Sequence, residues 1–214
     1  MKENYQILVI GSVASTAQTI KSLISNGFSL NGILGHDPIN KNDISGWYDL
    51  SNLAREKKID FHGFKKINAQ KCIDWAKNKN PDIIFAVGFS QLLDSEWFKI
   101  PKLGIIGFHP TKLPKGRGRA PLAWTILEKK DASATFFLME KEADSGPIFI
   151  QEIIKLSKFD DAKSLEKKII QGIKVALDKW LPNLKKGIWN PTPQDEFKAS
   201  WYGRRNKIDG LINW

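Results

Sequence analysis

The chain has 214 residues, of which 42% are hydrophobic and 26% are charged, so it can form a buried core and is too apolar for a disordered tail. A single cysteine, Cys72, excludes a disulfide framework and a thiolate-rich zinc or iron–sulfur site. No apolar run approaches the roughly 20 residues of a membrane span, and the N-terminal stretch is too short for a signal peptide, so we expect a cytoplasmic protein with no membrane partner. The net charge of +10 favours anionic partners such as nucleic acid or phosphorylated metabolites.

Strand-like and helix-like segments alternate through the first half of the chain. Continuous apolar runs at residues 7–10 and 82–88 are typical of strands buried on both faces. Ser15 and Gln18 form the pattern of a capping box that begins a helix, and Asn68 is a candidate cap for a later helix. This alternation predicts an α/β, Rossmann-like fold, with a mostly parallel twisted sheet covered by helices on both faces.

The second half of the chain does not continue this regular alternation of strands and helices. A strand ending at residue 108 delivers His109, and two β-rich runs, 133–139 and 147–156, predict an antiparallel pair. One helix face then follows, with apolar side chains every three or four residues at Leu165, Ile169, Ile173, Leu177 and Trp180. We expect a core domain of residues 1–181 and a short irregular C-terminal extension of residues 182–214.

Candidate functional groups gather after the strand that carries His109. Open α/β sheets bind ligands beyond the carboxyl ends of their strands, which is where His109 emerges. The loop that follows is rich in proline and glycine and carries four cations, at Lys112, Lys115, Arg117 and Arg119. Arginine forks suit phosphate oxygens, so part of the positive charge is placed for a phosphorylated ligand. Asp144 lies on the loop between the two β-rich runs and can face the same crevice.

The turn after the first strand gives a weaker signal. Gly11 and Ser12 stand where a dinucleotide fingerprint would begin, but Val13 replaces its second glycine, so an NAD enzyme is not expected. A helix N-terminus can still bind an anion, which makes Ser12 a candidate substrate contact, with a plain β–α turn as the alternative. His36 and His62 have no metal-ligand spacing, so we expect no metal site.

Two motifs resemble those of the formyltransferase superfamily that uses 10-formyltetrahydrofolate. Residues 109–121, HPTKLPKGRGRAP, are similar to the family's HPSLLPxYRGxxP signature, and residues 144–148, DSGPI, to its DxGxI signature. Residues 117–124, RGRAPLAW, are most similar to the branch that formylates nucleotide-linked amino sugars for surface polysaccharides. The end of the chain, from Gly203, also resembles the stretch that ends the catalytic core in that branch and in the initiator-tRNA branch.

The resemblance implies roles for individual residues. His109 matches the catalytic histidine and Asp144 the catalytic aspartate, whereas the family's catalytic asparagine falls on Gly107. A backbone N–H, Thr135 or a water molecule could replace the missing amide donor, or the enzyme could be slow or inactive. The residues implied for folate binding are Phe89, Ser90, Gln91, Leu92, Leu93, Lys141, Glu142 and Ala143. Those implied for the nucleotide sugar are Ser12, Thr111, Lys115, Arg117 and Arg119, with Arg117 expected to hold a diphosphate or to anchor its loop.

Other readings remain open at this point. The positive charge would suit a methionyl-tRNA formyltransferase, which binds tRNA. That branch continues into a C-terminal barrel domain, for which we expect no room in this chain, so tRNA is a less favoured partner. A catalytically impaired protein that only binds folate or a nucleotide is a second alternative. The glycinamide ribonucleotide branch fits the length but not the sequence from Arg117 to Pro121. The Trp-rich extension is a candidate contact for a homodimer.

Overall fold

The computed structural model describes residues 5–41, 44, 46–88 and 90–211, and helices alternate with strands through its first half. The strands are β1 (Ile7–Gly11), β2 (Leu30–His36), β3 (Phe61–Phe64), β4 (Ile83–Val87), β5 (Gly104–His109), β6 (Arg117–Gly118), β7 (Ala132–Leu138), β8 (Ile148–Ile154) and β9 (Trp201–Tyr202). The helices are α1 (Ala14–Ser25), α2 (Leu50–Lys57), α3 (Gln70–Asn78), α4 (Pro121–Leu127) and α5 (Ala162–Lys185).

The main sheet has seven strands in the order β3-β2-β1-β4-β5-β7-β8. The first five in this order are parallel, while β7 runs antiparallel to β5 and β8 antiparallel to β7. Gly11 pairs with Val87 and Ala86 with Gly107, so the carboxyl ends of β1, β4 and β5 reach the same edge. Ligands of such sheets bind at that edge, near the point where the strand order reverses. The predicted α/β fold with a mostly parallel sheet is confirmed.

Apolar side chains cover both faces of the sheet. On one face α1, α2 and α5 pack over β1 and β4 through residues such as Ile20, Leu53 and Leu177. On the other face α3 packs through Ile73 against Leu8 and its neighbours. Burying both faces explains why β1 and β4 are continuous apolar runs rather than alternating ones. No helix in the described part of the chain is long and apolar enough to cross a membrane.

Two predicted helix starts are wrong, for the same physical reason. The capping box at Ser15 and Gln18 is not formed, because α1 begins earlier, at Ala14. The hydroxyl of Thr16 accepts hydrogen bonds from the N–H groups of Ser12 and Val13 and so serves the first turn from inside the helix. Asn68 does not cap α3 either. Serine and asparagine side chains can hydrogen-bond several nearby backbone groups. The residue pattern of the sequence does not indicate which of these groups they bind.

The C-terminal extension folds back onto the basic loop after β5. Helix α5 continues through Pro182 to Lys185, so the boundary expected at residue 181 falls within this helix. Farther along, β9 pairs in parallel with β6, and the Arg117 N–H donates to the Ser200 carbonyl at 2.9 Å. Tyr202 stacks on Trp124 of α4, with 5.6 Å between ring centroids. The extension therefore forms one wall of the region that carries His109.

Candidate active site

His109 ends β5, and its buried ring lies between two oxygen acceptors. The ring Nε2 donates to the carbonyl oxygen of Gly116 at 2.8 Å, because a carbonyl can only accept. The Nδ1 atom lies 3.4 Å from Oδ2 of Asp144. This separation exceeds an ideal hydrogen bond, and catalytic acid–base pairs often tighten only when substrate binds. The structure thus brings together the two residues that the sequence singled out as catalytic.

Asp144 reaches His109 through a loop that turns back along the sheet. Strand β7 is antiparallel to β5, and its last residue, Leu138, pairs with Ile106, short of His109. Residues after Leu138 must therefore reverse to bring the carboxylate to the ring. The same Oδ2 atom accepts a hydrogen bond from the Gly118 N–H at 2.9 Å. One carboxylate oxygen thus contacts both the histidine and the basic loop.

Apolar side chains fill the place where the family's asparagine would project. A Cβ atom on Gly107 would lie 2.8 Å from Cγ of Met139 and 2.8 Å from Cζ of Phe137. Neither side chain offers an N–H to an oxyanion. The position therefore lacks both the amide donor and the room for one.

Thr135, the candidate substitute donor, lies directly opposite His109 in the β5–β7 pair. Its buried hydroxyl donates to the carbonyl oxygen of Thr111 at 2.7 Å and accepts from Nε2 of Gln151 at 3.1 Å. The hydroxyl hydrogen is thus already used. In this arrangement Thr135 fixes the segment after His109, and it would have to give up that bond to reach a substrate.

The four cations of the basic loop divide into two kinds. Arg117 is only 1% exposed, and its guanidinium donates four hydrogen bonds, two to Glu196 and two to Gln194. The hydrogen bonds to Glu196 raise the pKa of Arg117 and lower the pKa of Glu196, each against the opposing effect of burial. This geometry favours the expected anchoring role of Arg117 over a diphosphate contact.

The other three cations face solvent. Lys112, Lys115 and Arg119 are exposed, and their side chains make no ion pair or hydrogen bond within the part of the chain that the structure describes. Lys115 and Arg119 are thus available to an anionic ligand, whereas the charge of Lys112, after the hydrogen bond from Lys155, also helps to lower the pKa of Asp131. All three lie on the loop that begins directly after His109.

Two predicted substrate contacts hold the backbone of the site. Ser12 is buried, and its hydroxyl donates to the carbonyl oxygen of Gly88 at 3.0 Å. Thr111 is buried as well, and its hydroxyl donates to the carbonyl oxygen of Lys115 at 2.9 Å. The alternative of a plain β–α turn at Ser12 agrees with this arrangement, since its hydroxyl is used to tie that turn to the end of β4.

The loop after β4, expected to bind folate, is tied to the segment before α3. Gln91 accepts from the Ile67 N–H and donates to the Lys65 carbonyl, both at 2.8 Å. Asn68 contacts the same loop at the Leu92 carbonyl and the Asp94 N–H, which is why it does not cap α3. A surface cavity of about 470 Å³ is lined by Lys66, Asn68, Ala69, Gln91 and Leu92.

The remaining expected folate residues differ in exposure. Phe89 lies outside the described residues. Ser90 is exposed, while Leu93 packs against the core on the α3 side of the sheet. Lys141, Glu142 and Ala143 are exposed on the loop that leads to Asp144. No group of three or more His, Cys, Asp or Glu side chains could hold a metal ion among the residues that the structure places.

Sequence reasoning missed Gln194 and Glu196, which the extension contributes to the site. Both contact Arg117, and Gln194 also contacts the loop that carries Asp144. They lie in a stretch with no helical or strand periodicity, so the pattern gave no reason to select them. A buried arginine needs hydrogen-bond acceptors, and this need was the only available signal. It does not indicate which residues of the chain supply the acceptors.

Comparison with known proteins shows the family. Residues 49–178 match the family model described as formyl transferase. The chain belongs to the formyl transferase family. This membership confirms the predicted family and the predicted class of enzyme, a formyl-transferring one. A curated relative, the bifunctional polymyxin resistance protein ArnA of Wigglesworthia glossinidia brevipalpis, is 32% identical over 196 residues, or 91% of this formyltransferase chain. The chain spans only 30% of the length of that relative.

Solved structures of formyltransferases share the fold. A sugar N-formyltransferase from Shewanella sp. FDAARGOS_354 superposes with a TM-score of 0.72 at 20% identity, covering 93% of this chain and 76% of that one. An N-formyltransferase from Helicobacter canadensis, in complex with folinic acid and dTDP-3-aminofucose, gives 0.74 at 18% identity, covering 98% and 75%. Glycinamide ribonucleotide transformylase 1 from Symbiobacterium toebii gives 0.73 at 17% identity, covering 91% and 95%.

Proposed function

We propose that this formyltransferase moves a formyl group from 10-formyltetrahydrofolate to the amino group of a nucleotide-linked amino sugar, in the cytoplasm, for surface polysaccharide synthesis. One observation carries the proposal. The His109–Asp144 pair lies at the carboxyl end of β5, at the start of a loop with three exposed cations that form no ion pair with the described residues. An acid–base pair beside free positive charge suits an amine substrate that also carries phosphates.

The relatives support the choice of donor and acceptor. The Helicobacter canadensis structure contains folinic acid and dTDP-3-aminofucose, and ArnA is named for polymyxin resistance. In the present chain the two loops expected to hold folate adjoin β5. Residues 90–93 follow β4, which pairs with β5, and residues 141–143 lead to Asp144. This placement fits a formyl donor bound against His109.

The residues of the site would act as follows. The donor supplies an activated formyl carbon, and the sugar amine forms a new C–N bond to it as the carbonyl oxygen gains negative charge. The Nε2–H of His109 donates to the Gly116 carbonyl here and would have to exchange that partner for the new oxygen, while Nδ1 stays beside Asp144. Asp144 is placed to accept the proton that the amine loses. That proton replaces the formyl group on the departing nitrogen, so the charges balance.

Mass spectrometry of the product tests this proposal. Incubating the protein with 10-formyltetrahydrofolate and a panel of nucleotide-linked amino sugars should give a product heavier by one CO unit. His109→Ala and Asp144→Asn should each lower kcat by about 10²–10⁴-fold, the usual contribution of a general acid or base. Asp74→Asn, the same chemical change on exposed α3, serves as the control and should keep full activity. Full activity of either site variant, or transfer only to glycinamide ribonucleotide, would contradict the proposal.

A second candidate function is supported by the filled position at Gly107. Losing one oxyanion donor typically lowers the rate by about 10²–10³-fold, and Met139 and Phe137 occupy the place of the missing amide. A protein so impaired would bind folate or a nucleotide without useful turnover. Tight folate binding in calorimetry, together with no product from any amino sugar, would favour this candidate over the enzyme.

A further inference from the structure

The side chain of Gln194 joins the two loops that meet at His109. Its Oε1 atom accepts hydrogen bonds from Nε and Nη2 of Arg117, at 3.2 and 2.9 Å. Its Nε2 atom donates to the carbonyl oxygens of Asp144 and Gly146, at 2.8 and 2.7 Å. A glutamine amide has two donor hydrogens and two acceptor lone pairs, so all of its hydrogen-bonding capacity is used here.

The backbone that Gln194 holds is an unfavourable one. Asp144 has a φ of 56°, in the left-handed region that side chains other than glycine seldom adopt. A Cβ atom at Gly146 would lie 1.7 Å from the carbonyl oxygen of Leu138, so the loop also passes very close to β7. Such strain persists where surrounding contacts determine the backbone, and the two bonds from Gln194 do this on both sides of Ser145.

The direction of the Asp144 carboxylate depends on this backbone. Its Oδ2 atom lies between Nδ1 of His109 and the N–H of Gly118. Gly118 directly follows Arg117, which Gln194 holds from the other side. One amide group of the C-terminal extension therefore contacts both the backbone of the base and the loop that the base contacts.

We propose that Gln194 is a positioning residue that holds Asp144 in line with His109. The effect of Gln194 on kcat rests on the proposed formyl transfer, whereas its effect on the position of the Asp144 loop does not. The side chain acts through the backbone of Asp144 and does not touch substrate. Only an amide serves both halves of the contact, because a carboxylate at this position would keep Arg117 as a partner but face two carbonyl oxygens.

Gln194→Glu is therefore the informative variant. It keeps the acceptors for Arg117 and removes the two donors that hold the Asp144 loop. We expect kcat to fall about 10²-fold with KM for both substrates unchanged within about twofold, since small displacements of a catalytic group have effects of this size. Near-normal kcat would show that Gln194 merely supports Arg117 and would overturn the proposal.

A double-variant cycle separates positioning from general loss of structure. If Gln194 acts through Asp144, adding Gln194→Glu to Asp144→Asn should cause no further fall in kcat. If the fold-decrease in kcat of the double variant were the product of the two single decreases, the proposal would be contradicted. Lys198→Gln is a matched control in the same segment, because Lys198 is exposed and its side chain pairs, among the described residues, only with Asp195. It should leave kcat and KM unchanged.

Hydrogen exchange of the Gly118 amide gives a readout that needs no substrate. This N–H donates to Asp144, so its exchange should quicken at least about tenfold in Gln194→Glu, approaching the rate in Asp144→Ala, while core amides such as Val9 stay protected. Unchanged exchange at Gly118 in Gln194→Glu would refute the positioning role even if no acceptor sugar were found. Failure of every sugar with faster exchange would instead count against the proposed function alone.

Discussion

The Cγ atom of Met139 lies 2.8 Å from the point that a Cβ atom on Gly107 would occupy. Real Cβ atoms essentially never approach other heavy atoms this closely. Phe137 crowds the same point from the neighbouring strand. The flexible thioether side chain of Met139 and the ring of Phe137 thus take the space that a side chain at residue 107 would need.

Replacing Gly107 should destabilise the protein. Gly107→Ala overpacks this site, and we expect the free energy of unfolding to fall by about 1–3 kcal/mol. Urea denaturation would measure it. Because Met139 is one of the two crowding side chains, the same change in a Met139→Ala background should have a smaller effect. Equal effects in both backgrounds would show that Met139 does not limit the space at residue 107.

Arg117 should prove a structural residue. Arg117→Ala leaves Gln194 and Glu196 without their shared partner, and we expect a loss of about 2 kcal/mol in the free energy of unfolding. The value lies below that of a fully buried pair because Glu196 is largely exposed. Arg119→Ala, on the exposed side of the same loop, should change stability by no more than about 0.5 kcal/mol. Equal free energies of unfolding in the two variants would show that Arg117 does not stabilise the loop.

Lys115 and Arg119 should contribute to nucleotide affinity. We expect the double variant Lys115→Ala, Arg119→Ala to raise KM for the nucleotide sugar about tenfold, since hydrogen bonds to charged groups are strong ones and these are solvent-exposed. The value of kcat should stay within about twofold, and added salt should narrow the difference from the wild type. The double variant Lys163→Ala, Lys167→Ala removes the same charge from the exposed side of α5 and is the control. An unchanged KM in the double variant would exclude these side chains from the substrate site.

Asp160 should make stability pH-dependent at acidic pH. Its hydrogen bond with Lys168, aided by the Ser157 N–H, lowers the pKa of Asp160 from 3.8 to about 2. A carboxyl group with a lower pKa in the folded state contributes stability above its unfolded pKa and loses it as pH falls through the folded pKa. The stability difference between the wild type and Asp160→Asn should therefore be constant above about pH 5 and disappear toward about pH 2. Thermal unfolding at several pH values measures it, and a difference independent of pH would contradict the assignment.

Much of this site could be predicted from sequence because its signals are local. His109 follows a continuous apolar run, and the position of that run in a parallel sheet determines where the ring emerges. Asp144 could be paired with it only through the resemblance to a family. Periodicity alone says nothing about a loop that reverses along the sheet after Leu138.

Contacts between distant residues could not be predicted from sequence. Gln194 lies 77 residues from Arg117 and 50 from Asp144, and no propensity links such positions. The packing of Met139 against Gly107 is equally invisible, since it depends on the register of two antiparallel strands. Arg117 is buried because it contacts Gln194 and Glu196, whereas Lys115 stays exposed. Since these contacts are between residues distant in the chain, the sequence alone could not distinguish the two cations.

The pairing of β6 with β9 has a consequence for how the protein is made. Chains grow at about 5–20 residues per second, and Arg117 pairs with Trp201, so the ribosome adds the partner strand roughly 4–17 seconds after the loop. The parallel strands β1 to β5 can meet during that interval, whereas the surroundings of His109 cannot close. A nascent chain that ends before Trp201 thus contains every strand of the main sheet but lacks the strand that pairs with β6.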